Sequence, residues 1–304
     1  MAANETHTNA SAGHKLGQLI GDWFEEHFVL PLLTSVADGL RLYLDHRFRV
    51  RAARGEKILW NDEDGNSVDY DFVMELRGSD KARGVPVAFF ECFWRRGARH
   101  SKDKARDDSG KLAPMRDIHP TARFLGIVAA GDFTQPARQL VLSREIDLFY
   151  VPKDKVVAAF SALGMQMDYS DNAPEEEKQR LARDFAGHLT GKVKRKAADK
   201  LRGLLGKPAI HTYLDRVRAA LGATPQEIRF LARHDSAARV FETIPDATAF
   251  LKKPDFDFSE PTETYLYQIT YSDGAEFERQ VASLEHLRQL HEQTDILASH
   301  MASL

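Results

Sequence analysis

One cysteine among 304 residues excludes an internal disulfide framework and any zinc cage built on thiolates. Long apolar runs are also missing. None reaches the length that crosses a bilayer, and the first residues lack the basic-then-apolar layout of a secretory signal. No membrane partner is expected, and the cytoplasm is the expected compartment. There is no Gly-rich phosphate loop, no GxGxxG after a strand, no HExxH and no GxSxG elbow, so the usual marks of nucleotide binding, zinc proteolysis and ester hydrolysis are absent. The 12 histidines are scattered rather than spaced as ligands. A strong net charge is lacking too. Forty-two basic residues against 45 acidic ones give −3, which does not by itself announce a nucleic-acid binder.

What is present is ordinary in amount and uneven in placement. With 43% hydrophobic and 29% charged residues, the chain suits one large domain and a smaller one. Basic residues cluster at Arg47–Arg54, Arg95–Arg106 and Lys192–Lys207, and acids at Asp62–Asp64 and Glu175–Glu177. Any one cluster fits a solvated face; several near one site favour a polyanion.

Residues 1–14 are small and polar and read as a disordered tail. Leu16, Leu19, Ile20, Trp23, Phe24 and Phe28 recur at helical spacing, and Leu32, Leu33, Val36, Leu40 and Leu44 predict a second helix beyond Pro31. Strands are expected at Ile58–Trp60, Val68–Leu76 and Val85–Trp94, the first two joined by the Asp-Gly turn of Asn61–Asn66. A basic helix starts near Ser101, which suits its N-cap, and Pro114 and Pro120 bracket a loop. Ala122–Ala130 and Ile146–Val151 read as buried strands, Thr134–Ser143 and Asp154–Leu163 as helices, and Met165–Tyr169 as a last short strand. Residues 171–223 read as connecting helices with a break at Gly206-Lys207-Pro208. Residues 224–304 read as a small α+β unit for interaction or oligomerisation, with a hairpin at Ser272-Asp273-Gly274 and a terminal helix. The expected fold class is α/β: a mixed sheet flanked by helices over residues 15–170, plus that smaller C-terminal unit.

Chemistry concentrates between Val68 and Lys104. Asp71 falls in one expected strand. Glu91 falls in the next, inside Phe89-Phe90-Glu91-Cys92-Phe93-Trp94. A carboxylate in so apolar a run is costly to bury unless it is paired, protonated or bound to a cation. An ion pair with Arg95, Arg96 or Arg99 is one outlet; a shared divalent metal with Asp71 is the other. Cys92 and Trp94 fit the core, although Trp94 could also stack on a base.

This order of elements and acids resembles the PD-(D/E)xK nuclease superfamily, the restriction-endonuclease-like proteins, over roughly residues 15–170. The resemblance implies a divalent-metal-dependent DNA endonuclease that hydrolyses phosphodiester bonds in restriction or antiviral defence. Asp71 and Glu91 match the acids on the second and third core strands, which would bind Mg²⁺ or Mn²⁺. Glu25 matches the helical carboxylate, with Glu26 as its substitute. The superfamily lysine normally stands two residues after the second acid, where this chain has Phe93. Lys104 is the first substitute and Lys102 the second. Arg95, Arg96, Arg99, His100 and Lys102 would contact DNA phosphates, and a homodimer would cut both strands. The alternative is a core that has lost catalysis and serves as a DNA-binding or protein-interaction module. RNA or a nucleotide is a further substrate class.

Overall fold

The computed structural model describes residues 11–62, 64–233, 235, 237–256 and 264–304. Of the expected tail, residues 1–10 lie outside these. Residue 11 onwards does not fit that expectation, because helix α1 (Ala12–Trp23) already starts there, with the Ser11 hydroxyl accepting from the His14 N–H. Leu16, Ile20 and Trp23 are buried on one face of α1, as their spacing requires. The helix then widens into one π-helical turn, Phe24–Val29, before α2 (Leu30–Gly39). Such turns are rare and concentrate at functional sites.

The second helix is shorter than its leucine spacing suggests. Arg41 adopts φ 49°, which ends the helix, and Tyr43–His46 turns into β1. The segments Leu59–Asn61 (β2) and Ser67–Asp69 (β3) pair only with each other. The Asp-Gly hairpin is therefore present, but it stands apart from the main sheet. The chain bends at Tyr70 and Asp71, with the Tyr70 N–H donating to the Ile58 carbonyl. Asp71 thus immediately precedes β4 (Phe72–Leu76) rather than lying within a strand.

After β4 come β5 (Val85–Arg95), α3 (Ser101–Ile118), β6 (Phe124–Gly131), α4 (Gln135–Leu142), β7 (Asp147–Pro152) and α5 (Lys153–Ser161). Pro114 lies inside α3 and does not open a loop. Met165–Tyr169 is not a strand. The main sheet runs β1-β4-β5-β6-β7. Its first two pairings are antiparallel and its last two parallel. Gly131 closes the β6 end at φ 102°, where an added Cβ would lie 1.8 Å from the Arg95 carbonyl oxygen.

Strand β5 is buried on both faces, which explains its unbroken apolar run. Ala88, Phe90 and Cys92 enter the core under α1 and α2, whereas Phe89 and Phe93 enter the core under α3 and α4. Each fully buried large side chain contributes about 1.5–3 kcal/mol of hydrophobic stabilisation. The first core also takes Leu181 and Phe185 of α6 (Glu175–His188), Ala197 and Leu201 of α7 (Gly191–Leu205), and Tyr213 and Val217 of α8 (Lys207–Gly222).

The C-terminal unit has its own antiparallel sheet, β11-β10-β8-β9. It is built from β8 (Pro225–Ala232), β9 (Arg239–Phe241), β10 (Tyr265–Tyr271) and β11 (Glu276–Val281), with α9 (Ile244–Lys252) and α10 (Leu284–Ala302). It docks on the larger unit through Arg123. That guanidinium stacks on Tyr271 and pairs with Asp273 at 3.1 Å. Among the described residues no helix is long and apolar enough to cross a membrane.

Candidate active site at the end of strand β5

Glu91 follows Phe89 and precedes Phe93 on β5, so all three point to the α3 side of the sheet. Its residue is buried. One carboxylate oxygen, Oε2, accepts from Lys111 Nζ at 3.2 Å, and the other, Oε1, is buried without a hydrogen-bond partner. The Glu91 outlet is therefore a lysine of α3, not Arg95, Arg96 or Arg99.

Asp71 stands at the entry to β4, and its Oδ2 accepts the Cys92 N–H at 2.7 Å. That bond holds it one peptide unit from Glu91. Lys104, Asp108 and Lys111 share one face of α3, because residues four and three apart stack on a helix. Lys104 Nζ lies 2.6 Å from Asp108 Oδ1, while the buried Asp108 Oδ2 has no hydrogen-bond partner. Glu25, in the π-helical turn, is buried and accepts from Arg47 Nε at 2.9 Å. Arg47 also reaches Asp22 at 2.6 Å.

Four carboxyls thus share this region with two ammonium groups and one guanidinium. Burial raises every one of the four, and repulsion within the group adds to it at Glu25, Asp71 and Glu91. Burial, then the neighbouring Asp71, pushes Glu25 up to about 8, with Arg47 only partly compensating. Burial raises Asp71 against the Cys92 N–H and Lys104. Glu91 is driven well above its ordinary value by burial, then by Asp71 and Asp108. Asp108 is raised by burial in spite of Lys104. Burial works against the charge on Lys111, but Glu91 holds its pKa above the ordinary value. A cluster that suppresses its own ionisation binds a cation more readily than it tolerates solvent-free anions.

The side chain two residues after Glu91 is Phe93, packed edge-on to Phe133 at 5.2 Å. Lys104 Nζ lies 5.2 Å above the Phe93 ring. An ammonium group therefore stands over the position where the sequence lacks one. Lys102 is exposed, as are Arg99 and His100. His100, at φ 64°, caps α3 and meets Asp103 at 3.1 Å. Ser101 is not the cap. It opens α3, and its hydroxyl donates to the carbonyls of Ala98 and Asp132. Arg96 is engaged by Asp171, Asp168 and the Tyr169 ring. Arg95, Arg99 and Lys102 have no ion pair among the described residues. Cys92 is buried, with its thiol pushed up by burial, and so is no nucleophile.

Asp108 and Lys111 escaped the reading of the sequence. The signal was available as the 104/108/111 spacing on one face of α3, once that face is known to turn towards β5. A cleft of about 750 Å³ between the two units, lined by Arg116, Arg123 and Asp273 among others, contains none of these acids.

The donor set consists of hard carboxylate oxygens, which suit Mg²⁺ or Mn²⁺, and the partnerless Glu91 Oε1 and Asp108 Oδ2 are the free donors. Among the described residues no three acid, His or Cys side chains are grouped closely enough to form a ready-made metal cage. Mg²⁺ commonly uses only one or two carboxylates and keeps waters and substrate phosphate in the rest of its shell. No family model matches the chain, and no curated protein or solved structure matches it.

Proposed function

We propose that the protein is a divalent-metal-dependent DNA endonuclease whose site lies at the end of β5. The observation that carries this reading is the unbalanced set of acids at the end of β5, the half-buried Asp71 with the buried Glu91 and Asp108, two of whose carboxylate oxygens lack hydrogen-bond partners, beside two lysines. Further support comes from the order of elements. The resemblance to the PD-(D/E)xK superfamily implies a helix with a Glu, a strand, a strand with an Asp, a strand with a Glu and then a helix. The elements α1 with its π-helical turn, β1, β4, β5 and α3 follow that order, with β1 in place of the expected strand at Ile58–Trp60. Function in restriction or antiviral defence, and a homodimer that cuts both strands, follow from that resemblance alone.

Asp71 and Glu91 would hold the metal, with Glu25 or Asp108 nearby. The metal supplies Lewis acidity at the scissile phosphate and a more acidic attacking water. The chain's own residues supply the remainder. The Cys92 N–H orients Asp71. Lys111 holds Glu91. Lys104, anchored by Asp108 above Phe93, presents positive charge to a phosphate that becomes more negative in the transition state. Arg95, Arg99 and Lys102 contact backbone phosphates, while Arg96 braces the segment around Tyr169.

The test is plasmid cleavage with Mg²⁺ or Mn²⁺ by the wild type, Asp71→Ala and Glu91→Ala, with RNA as a parallel substrate. Cleavage by the wild type and loss in both variants is expected. Equal activity in all three removes the site. Phe93 favours a second reading, a core that binds DNA without cutting it. Duplex binding with no cleavage at any Mg²⁺ or Mn²⁺ concentration would select that reading.

A further inference from the structure

Helix α7 carries its charge the wrong way round. Helix N-termini favour acids and disfavour cations. The first turn of α6 follows that rule with Glu175, Glu176 and Glu177. The first turn of α7 has no acid and instead holds Lys192 and Lys194. Lys192, Arg195, Lys196 and Lys200 are exposed and have no ion pair among the described residues. Several exposed cations on other helices are matched one turn away, as in Arg106 with Asp103, Arg218 with Asp215 and Arg288 with Glu285. On α7 the one acid, Asp199, is taken by Arg202 at 2.7 Å. Helix stability therefore does not account for the stripe.

The stripe begins beside the candidate site. The Trp23 indole N–H donates to the Lys194 carbonyl at 2.9 Å, and Lys194 Nζ lies 3.6 Å from Glu26. Glu26 and Glu25 belong to the same π-helical turn. The apolar residues of α7, Ala197, Ala198 and Leu201, are buried in the main core. They are not free to enter a lipid surface, as an interfacial helix requires. The exposed stripe also offers no aromatic for base stacking and no apolar centre for a protein interface. Its four cations span about 12 Å at 1.5 Å per residue, facing a polymer that carries one charge per about 1.7 Å of duplex.

We infer that Lys192, Arg195, Lys196 and Lys200 of α7 form a sequence-independent contact with the phosphate backbone of duplex DNA that extends from the candidate active site. This inference rests on the DNA reading above and adds a binding surface outside the core that carries the acids. The contact positions the duplex and reads no bases.

The test is fluorescence anisotropy of a labelled 30-mer duplex in EDTA, at several salt concentrations, with the full chain. The comparison is between the wild type and Lys192→Gln/Arg195→Gln/Lys196→Gln/Lys200→Gln. Each lost phosphate contact lowers the slope of log K against log salt by about 0.9, so a drop of about 3–4 is expected. Glutamine keeps the helix propensity, and a melting curve checks the fold. If the quadruple variant melts early, Lys196→Gln/Lys200→Gln replaces it, with an expected drop of about 2. A wild type that binds duplex together with a variant of unchanged slope overturns the stripe and leaves the DNA reading standing. A wild type that binds no duplex at low salt overturns both. Binding to phosphatidylserine vesicles in place of duplex also overturns the proposal.

Discussion

Two groups of buried charges sit on the same sheet and are built on opposite terms. One joins Asp45 of β1 and Glu75 of β4 to Arg51 and Arg54. Arg51 donates to Asp45 at 2.6 Å and to both oxygens of Glu75 at 2.5 and 2.8 Å, and Arg54 clasps Asp45. The Gly84 N–H completes Glu75. Two acids meet two guanidiniums, and every carboxylate oxygen has a partner. Burial alone would raise Asp45, yet the hydrogen bonds from Arg54 and Arg51 hold it below its ordinary value. The other group, at Asp71, Glu91, Asp108 and Glu25, has its acids raised and two oxygens bare. A satisfied cluster is a structural clamp. One left unsatisfied at a cost to the fold is where a chemical role is expected.

The largest expected effect tests that division directly. Asp71→Asn and Glu91→Gln should each lower metal-dependent DNA cleavage by about 10²–10³-fold. They should leave the metal-free fold as stable as before or more so, because each replaces a carboxyl whose ionisation burial opposes with a neutral group of the same shape. A plasmid-nicking assay beside a thermal melt reads both quantities. Unchanged cleavage, or a collapse of the fold, would put these acids in the clamp class. Conversely, Arg51→Met leaves Glu75 buried without its cation and Asp45 with Arg54 alone, and should cost about 3–5 kcal/mol in urea denaturation. Its activity per folded molecule should match the wild type. A loss smaller than 1 kcal/mol would mean that the clamp is not what holds β1 to β4.

The sequence exposed one of these clusters and hid the other. Strand β5 was legible because burial on both faces leaves an apolar run, and a lone Glu91 stands out in it. Its partner Asp71 was legible only through the order of strands around it, and the bend that places it before β4 was not. The cluster Arg47–Arg54 read as surface charge open to a polyanion, whereas Arg51 is fully buried. Charge alone cannot tell an inward arginine from an outward one when its partners lie on β1 and β4. Strand β1 was missed for a related reason: Leu40 and Leu44 continue the helical spacing of α2, and only the backbone turn at Arg41 breaks it. Asp108 and Lys111 sit among charged neighbours, and hydrophobic periodicity is silent about which charged face turns inward.

The pH response separates the two clusters with a smaller effect. Glu25 is held at about 8 and its neighbours are also raised, so the folded metal-free chain keeps protons that the unfolded chain releases. That stabilisation is fully present below about pH 4.5, and it falls as pH rises towards 8. Asp45 behaves in the opposite sense. Its contribution is present above its ordinary value of 3.8 and is lost as pH drops through its lower folded value. The metal-free protein should therefore lose of order 1–3 kcal/mol between pH 5 and 8, and Glu25→Gln should flatten that decline. Mn²⁺ should raise the melting temperature more at pH 8 than at pH 5.5, since ligands must be deprotonated to bind. A flat profile without metal would mean that these acids are already balanced.

The smallest expected effect decides which part of the site the lysine serves. Lys104 touches Asp108 and overlies Phe93, so its removal could act on charge at the phosphate or only on Asp108. Lys104→Met should lower cleavage about 10-fold, and Lys104→Arg, which keeps the charge, should recover most of that loss. If Lys104 serves only to neutralise Asp108, the double variant Lys104→Met/Asp108→Asn restores the wild-type rate, because no buried anion is left unpaired. If it acts on the phosphate, the double variant stays about 10-fold slow. Lys102→Met, on the exposed side of the same turn, should leave the rate unchanged and shift only the salt dependence of binding. That contrast, if found, would assign the inward lysine to chemistry and the outward one to the DNA backbone.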